Sequence, residues 1–350
     1  MTNWLNKQQC SAMRAFAILG IILHNYTHWL PNIVRENEFT YSVAKNTQLL
    51  EAVKNHNELL LLHLMSYFGH YGVVIFLFLS GFGLVMKYEK SSLPTISIWN
   101  FIRYNYLKLF RIFIVGFTIF VIVDAITPHS HHYYLTHIIA IFGMFANLLD
   151  YPSMVIWPGP YWYFGITLQL YIIYRLFMYH RNHSWFICFI LIFICLLLQI
   201  YYKDSNETLK YLRYNFVSGI LPFCMGILLG RHMKNIQFNQ LIWFCIFLVS
   251  SVSIVLLCFT FIGWLFTPIF VVIGMIAFIK LLSEQTLSYM SWLGGLSATI
   301  FVIHPLVRKI FIYQYTFNMY SGLLLYVIVS VSLSYFVQKM IIDKMPSPKL

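Results

Sequence analysis

Four residues that could do chemistry, Arg14, His24, Asn25 and His28, share one otherwise apolar stretch, MRAFAILGIILHNYTHWL (13–30). Charged and imidazole side chains are expensive to bury in lipid, so an apolar helix that keeps them is by default a functional site. A rise of 1.5 Å per residue puts Arg14 and His24 roughly 15 Å apart along the axis. One helix can then hold an anionic group near one membrane face and handle a proton deeper in, because an imidazole titrates near neutral pH. At about 100° per residue Asn25 lies on the side of Arg14, His24 is turned some 80° away, and His24 and His28, four apart, share a face. On this stretch alone, polar residues that only bond one helix to the next explain the pattern as well.

Other groups invite the same question. Lys108 and Arg111 lie three apart in the basic, aromatic segment 87–111, on one helical face. Arg grips phosphate through two N–H groups and Lys acts as a point charge, so this face suits a phosphate, although a simple anchor at the headgroups needs the same residues. Ser80-Gly81-Phe82 offers a hydroxyl and close backbone approach, or only a notch for another helix. His304 precedes Pro305, which frees a backbone carbonyl. His56, His63 and His70 recur every seven residues and can line a vestibule. His129, His131, His132 and His137 sit close together, but no Cys or Glu completes a metal site, and a solvated loop is expected there. The six cysteines, five of them in apolar runs, show neither a disulfide framework nor metal spacing.

The elements that must position these groups follow from composition. With 60% hydrophobic and 10% charged residues over 350 positions and a mean hydropathy of +0.72, a soluble globular fold is excluded. Apolar runs near 12–30, 60–86, 109–127, 160–179, 184–202, 214–231, 241–259, 262–282, 292–307 and 321–341 predict an all-α polytopic membrane bundle. About ten transmembrane helices are expected, in a single domain over 1–350, with no cleavable signal peptide. The run 137–149 is too short to cross, and the polar stretch 31–58 is expected to cap the bundle outside the membrane. Ten crossings put both termini on one side. If that side is cytoplasmic, fifteen Lys and Arg face inward and eight outward, as the positive-inside rule requires. Topology then accounts for the net charge of +12, with membrane lipids as the surroundings and no nucleic acid as partner.

Taken together, five stretches resemble the integral-membrane acyltransferase 3 family. They are MRAFAILGIILHNYTHWL, FGHYGVVIFLFLSGFGL (68–84), the basic segment to Arg111, WYFGITLQLYIIY (162–174) and LSATIFVIHPLV (296–307); LPFCMGILLG (221–230) adds a weaker sixth match. They run in family order over most of the chain. There are departures. The family's first-helix His falls where this chain has Asn25, two arginines of the basic motif are Asn105 and Lys108, and two acidic positions are Thr167 and Leu168.

The resemblance implies a bacterial cytoplasmic-membrane enzyme that moves an acyl group, usually acetyl, from acetyl-CoA to a hydroxyl of a cell-surface glycan or glycolipid. Such a transfer needs a base for the hydroxyl proton, a polariser for the thioester carbonyl and a grip on the CoA phosphates. On this basis His24 or His28 is expected as the base, with Asn25 orienting it or holding the oxyanion. Arg14, Lys108 and Arg111 are expected to hold phosphates, and Ser80 to line the donor channel. Trp162, Gln169, Tyr171 and His304 are expected to face substrate. A multi-span transporter or flippase of a glycan or small polar solute is the alternative, and a membrane scaffold a third reading. A transporter usually carries an internal repeat, and none is visible here.

Overall fold

A computed structural model describes residues 4–90, 95–181, 183–233, 238–312 and 318–349. Among them the only regular elements are helices. In chain order these are α1 (Lys7–Thr27), α2 (Val43–Lys54), α3 (Leu60–Phe68), α4 (Gly72–Tyr88), α5 (Ile98–Ile126), α6 (Leu135–Phe142), α7 (Pro152–Val155) and α8 (Trp162–Ile173). They continue with α9 (Ser184–Tyr201), α10 (Asn206–Tyr214), α11 (Phe216–His232), α12 (Gln240–Leu257), α13 (Phe261–Leu281), α14 (Glu284–Gly295), α15 (Ser297–Phe311) and α16 (Met319–Met340).

Six helical units among these residues are long and apolar enough to cross a membrane: α3 with α4, α5, α9, α12, α13 and α16. Two more pairs qualify as bent spans, α10–α11 with a 44° bend and α14–α15 with a 62° bend. Of the ten expected crossings, length and composition among the described residues support six to eight. The two runs that fall short, α1 and α8, do so for different reasons. α1 is long enough but diluted by Lys7, Arg14 and its polar end, and α8 has only 12 residues before a π-turn at Tyr174–Met178. Both helices keep many buried residues, so they are shielded by protein on most sides. At the periphery, only 11% of the α12 span and 22% of the α9 span is buried, which leaves their aromatic and aliphatic faces for lipid.

The chain begins α1 with a reciprocal cap. Asn6 accepts from the Gln9 amide at 2.8 Å, and the Gln9 side chain accepts from the Asn6 amide at 3.2 Å. α1 then runs unbroken through the centre, against α3, α4, α13, α14, α15 and α16. The 31–58 segment, the expected cap, carries α2, which is secured by Asn46 donating to the Cys258 carbonyl at 3.2 Å.

Lipid tails are as apolar as leucine, so helices in a membrane hold together through close packing and buried polar contacts. Both are present. α4 and α11 cross at paired glycines: a Cβ on Gly81 would strike the Phe223 carbonyl, and one on Gly226 the Phe78 carbonyl. At one end Arg231 pairs with Glu89, its Nε 2.6 Å from Oε2, and Tyr174 donates to the same carboxylate at 2.6 Å. At the other end Lys309 pairs with Asp124, which also accepts from the His131 amide at 2.8 Å. Removing one partner of such a buried pair typically costs about 3–5 kcal/mol.

The crossing predicts a simple contrast. Gly226→Ala drives a methyl into backbone that has no rotamer to yield, and overpacking of this kind costs about 1–3 kcal/mol. It should lower the melting temperature in detergent by several degrees. Gly83→Ala, two residues beyond Gly81 on α4 and with nothing within 4 Å of its new Cβ, should leave it unchanged. Equal melting of the two variants would refute the notch.

Candidate active site

α1 is flanked by two cavities, one at each end. The first, about 220 Å³, lies at its C-terminal end between α1, the 37–39 segment, His70, the start of α8 and α15. The second, about 210 Å³, lies around Arg14 between α1, α4, α5 and Tyr171 of α8. Phe76 lines the second and Tyr163 the first, and their rings touch with centroids 6.2 Å apart. This aromatic layer separates the two spaces.

In the first cavity His24 is oriented by α3. Its Nδ1 lies 2.7 Å from the carbonyl oxygen of Ser66. A carbonyl can only accept, so Nδ1 carries the hydrogen and Nε2 keeps its lone pair. Ser66 is in the last turn of α3, where carbonyls lose their intrahelical partners and are open to a side-chain donor. Ser66 is itself tied down, its hydroxyl donating to the Val34 carbonyl at 2.6 Å. The His28 and His70 rings lie 5.2 and 5.6 Å from that of His24, so three imidazoles share one corner of the cavity.

Asn25 takes a different part. Its Nδ2 donates to the Ile21 carbonyl at 2.9 Å, and its Oδ1 accepts from Arg308 of α15 at 3.1 Å. The Arg308 guanidinium also lies over the Trp29 ring, 4.9 Å from its centroid. Both Asn25 and Arg308 line the cavity, so Asn25 acts mainly to aim Arg308.

The cap supplies the remaining wall. Glu38 lines the cavity, its backbone carbonyl accepting from Arg213 Nε. Burial pushes its carboxyl up to about 7, against the pull of Arg213 and Lys45. Burial likewise lifts Glu36 to about 7, although Lys45 Nζ is 3.8 Å from its carboxylate.

The second cavity is cationic. Arg14, Lys87 and Lys108 line it with Ser80, Asn105 and Tyr171. The Lys87 ammonium lies 3.7 Å from the centroid of the Tyr104 ring. A ring of cations with few apolar neighbours suits a polyanion such as a nucleotide phosphate.

Several expected residues are placed elsewhere. Arg111 is not beside Lys108 in this cavity. It donates to the carbonyls of Ile342 and Met345 (2.9 Å for the latter) and to Ser347 Oγ at 3.2 Å, locking the turn after α16. Three residues at 100° leave 60° between the two side chains, enough to aim them at different neighbours. Gln169 pins α8 to α11 by bonding Asn215 and the Phe216 amide, each at 2.9 Å, and faces no cavity. His304 is fully buried, with Nδ1 3.1 Å from the Ile300 carbonyl, one turn before Arg308 and off the cavity wall. Trp162 lines the first cavity and Tyr171 the second. Arg308, Glu38 and Lys87 are the site residues that sequence reasoning missed. Arg308 and Lys87 entered only as topological charges, yet Arg308 is one helical turn from His304 and Lys87 is seven residues from Ser80.

A family described as an acyltransferase domain, acyltransferase 3, matches residues 7–338, nearly the whole chain. No curated protein and no solved structure matches it.

Glu38 gives the site a pH signature. A carboxyl raised from 4.5 to about 7 in the folded state binds its proton more tightly folded than unfolded, so its share of stability is lost as pH rises across that interval. Glu38→Gln removes the ionisation. The variant should melt a few degrees above the parent at pH 8, and the gap should close by pH 4.5. A gap that stays constant with pH would show that Glu38 is not a buried titrating group.

Proposed function

The chain belongs to the acyltransferase 3 family, and on that premise we propose that this multi-pass membrane acyltransferase moves an acyl group, acetyl in the simplest case, from acyl-CoA to a hydroxyl of a cell-surface or lipid-linked glycan. The observation that carries this reading is the His24 ring, fixed at Nδ1 by the Ser66 carbonyl and left basic at Nε2 in a cavity that shares α1 with a cationic one.

The donor enters at the Arg14 end, taken as cytoplasmic with both termini. Arg14, Lys87 and Lys108 neutralise the CoA phosphates there, and the pantetheine arm passes Ser80 toward the Phe76–Tyr163 layer. Those two rings must part to admit the thioester. From the opposite face the glycan hydroxyl enters beside His24. Its oxygen attacks the thioester carbonyl carbon while Nε2 of His24 takes its proton. The tetrahedral oxyanion faces the Arg308 guanidinium, held by Asn25 and Trp29, and preorganised donors of this kind stabilise developing charge most when water is excluded. Collapse breaks the C–S bond, and His24 returns the proton to the departing CoA thiolate. His28, one turn further along α1, is placed for a supporting role on the acceptor side.

Two cavities facing each other across one aromatic layer also fit an alternating-access carrier, the second reading. Release of free CoA from acetyl-CoA by the purified protein separates the two, because a carrier of glycans would release none.

Loss of one positioned base typically costs a factor of about 10²–10⁴ in rate. His24→Ala should therefore abolish glycan acylation while acetyl-CoA binding persists, and His28→Ala should slow it less. Near-normal transfer by His24→Ala beside an inactive His28→Ala would move the base to His28. On the donor side, Lys108→Ala should weaken acetyl-CoA binding about tenfold, in line with about 1.5–3 kcal/mol for a charge-assisted contact. Arg111→Ala should instead lower the melting temperature and leave the dissociation constant in place. Titration calorimetry in detergent reads both, and weakened binding by Arg111→Ala at unchanged stability would restore it to the phosphate site.

A further inference from the structure

At the His24 end of the bundle a separate cavity of about 390 Å³ opens beside α10. Asp150, Tyr151 and Ser153 bound it on one side, and Glu207, Lys210 and Tyr211 of α10 on the other. It lies along the same helix as part of the His24 cavity. Tyr214, three residues after Tyr211 on α10, lines the His24 cavity. The segment between the two spaces is tied to both. Asn147 donates to the carbonyls of Tyr214 at 2.6 Å and Trp162 at 2.9 Å, and the Tyr211 hydroxyl donates to the Leu148 carbonyl at 3.1 Å. The two spaces therefore lie on neighbouring turns of α10.

We infer that the α10 cavity is a glycan subsite that holds sugars adjoining the one acylated, so that the enzyme takes an oligomeric carbohydrate rather than a single sugar. The inference rests on the glycan reading above and extends it. The side-chain chemistry is what a sugar needs. Tyr151 is 67% exposed and presents a ring face, and the Tyr211 ring is held still by its hydroxyl bond. Aromatic faces take the apolar side of a pyranose, and carboxylates accept from neighbouring hydroxyls. Among the described residues the side chains of Asp150, Glu207 and Lys210 enter no ion pair or hydrogen bond with protein. Tyr151 also holds a left-handed backbone, φ 53°, a conformation uncommon for a bulky residue and concentrated at binding sites. Tyrosine near a membrane surface can serve only as an interface anchor. Two carboxylates and Lys210 in the same hollow supply polar partners that an anchoring ring does not need.

The test uses the full chain in nanodiscs, carrying His24→Ala so that bound acceptor is not consumed. The probes are bacterial repeat-unit oligosaccharides of one and four repeats, with binding read by titration calorimetry. The four-repeat glycan should bind about tenfold more tightly than its single repeat. Tyr151→Ala, and independently Glu207→Gln, should erase that gap and leave single-repeat affinity where it was. Equal affinity for both lengths in the parent, or loss of both affinities together in the variants, overturns the subsite while leaving a glycan acceptor in place. If no oligosaccharide binds and the wild-type chain acylates a non-carbohydrate hydroxyl, the glycan reading falls and the subsite with it.

Discussion

The crossing of α1 over the break between α3 and α4 is the constraint on which the site depends. The break is a single turn at Gly69–Tyr71, and it lies directly on α1. A side chain at Gly69 would strike the Gly20 carbonyl and the Cβ of His24, and one at Gly72 would strike the Ala17 carbonyl. Only glycine allows backbone to approach backbone this closely. The approach has two consequences. It brings the last turn of α3 against α1, so that the Ser66 carbonyl reaches His24, and it swings His70 into the same corner. In lipid a helix break must find new partners for its freed carbonyls, because no water is present to take them. Here a catalytic-type imidazole meets part of that need, so structural and chemical requirements coincide in one hydrogen bond.

The same economy governs the charges. Two buried ion pairs among the described residues stand at opposite ends of the bundle, Glu89–Arg231 joining α4 to α11 and Asp124–Lys309 joining α5 to α15. Each removes a carboxylate and a cation from any role in ligand binding. What remains around Arg14 is an excess of positive charge, and what remains around His24 is three imidazoles, the Glu38 carboxyl and one aimed guanidinium. The two cavities are therefore suited to different chemistry, anion binding in one and proton transfer in the other. This contrast is what distinguishes the arrangement from a passive packing defect.

Much of this was legible in the sequence where local spacing decides the outcome. Arg14 and His24 on one helix, Ser80 beside a glycine notch, and Lys108 facing a cationic hollow all follow from rise and rotation along a helix. The all-helical membrane bundle follows from composition; Trp162 lines the first cavity and Tyr171 the second. Legibility ends where a partner far along the chain decides. Arg111 is claimed by carbonyls more than 230 positions later, Asn25 by Arg308 at a separation of 283, and Gln169 by Asn215. Periodicity cannot show which of two cations on one helix face will be captured in this way. Length and composition support six to eight of the ten expected crossings, and an apolar run does not reveal whether lipid or protein covers it: α1 and α8, the two that fall short, are covered largely by protein.

The one-residue displacement of the first-helix histidine is resolved by the same crossing. A local distortion that turned His24 toward the side of Arg14 would need a break or a π-turn in α1, but the helix is regular to Thr27. His24 instead keeps its rotated position, and the face it turns toward is the one α3 occupies. Asn25, on the side of Arg14, meets α15 and holds Arg308. Adjacent residues about 100° apart thus serve two neighbouring helices, one supplying the carbonyl that fixes a tautomer and the other the guanidinium that faces the cavity. Exchanging the two identities would give a histidine away from the Ser66 carbonyl that fixes its tautomer, and an asparagine facing Ser66 that has no basic nitrogen to offer. In this bundle, with α3 where it is, position 24 lets a proposed base be both oriented and open to the cavity.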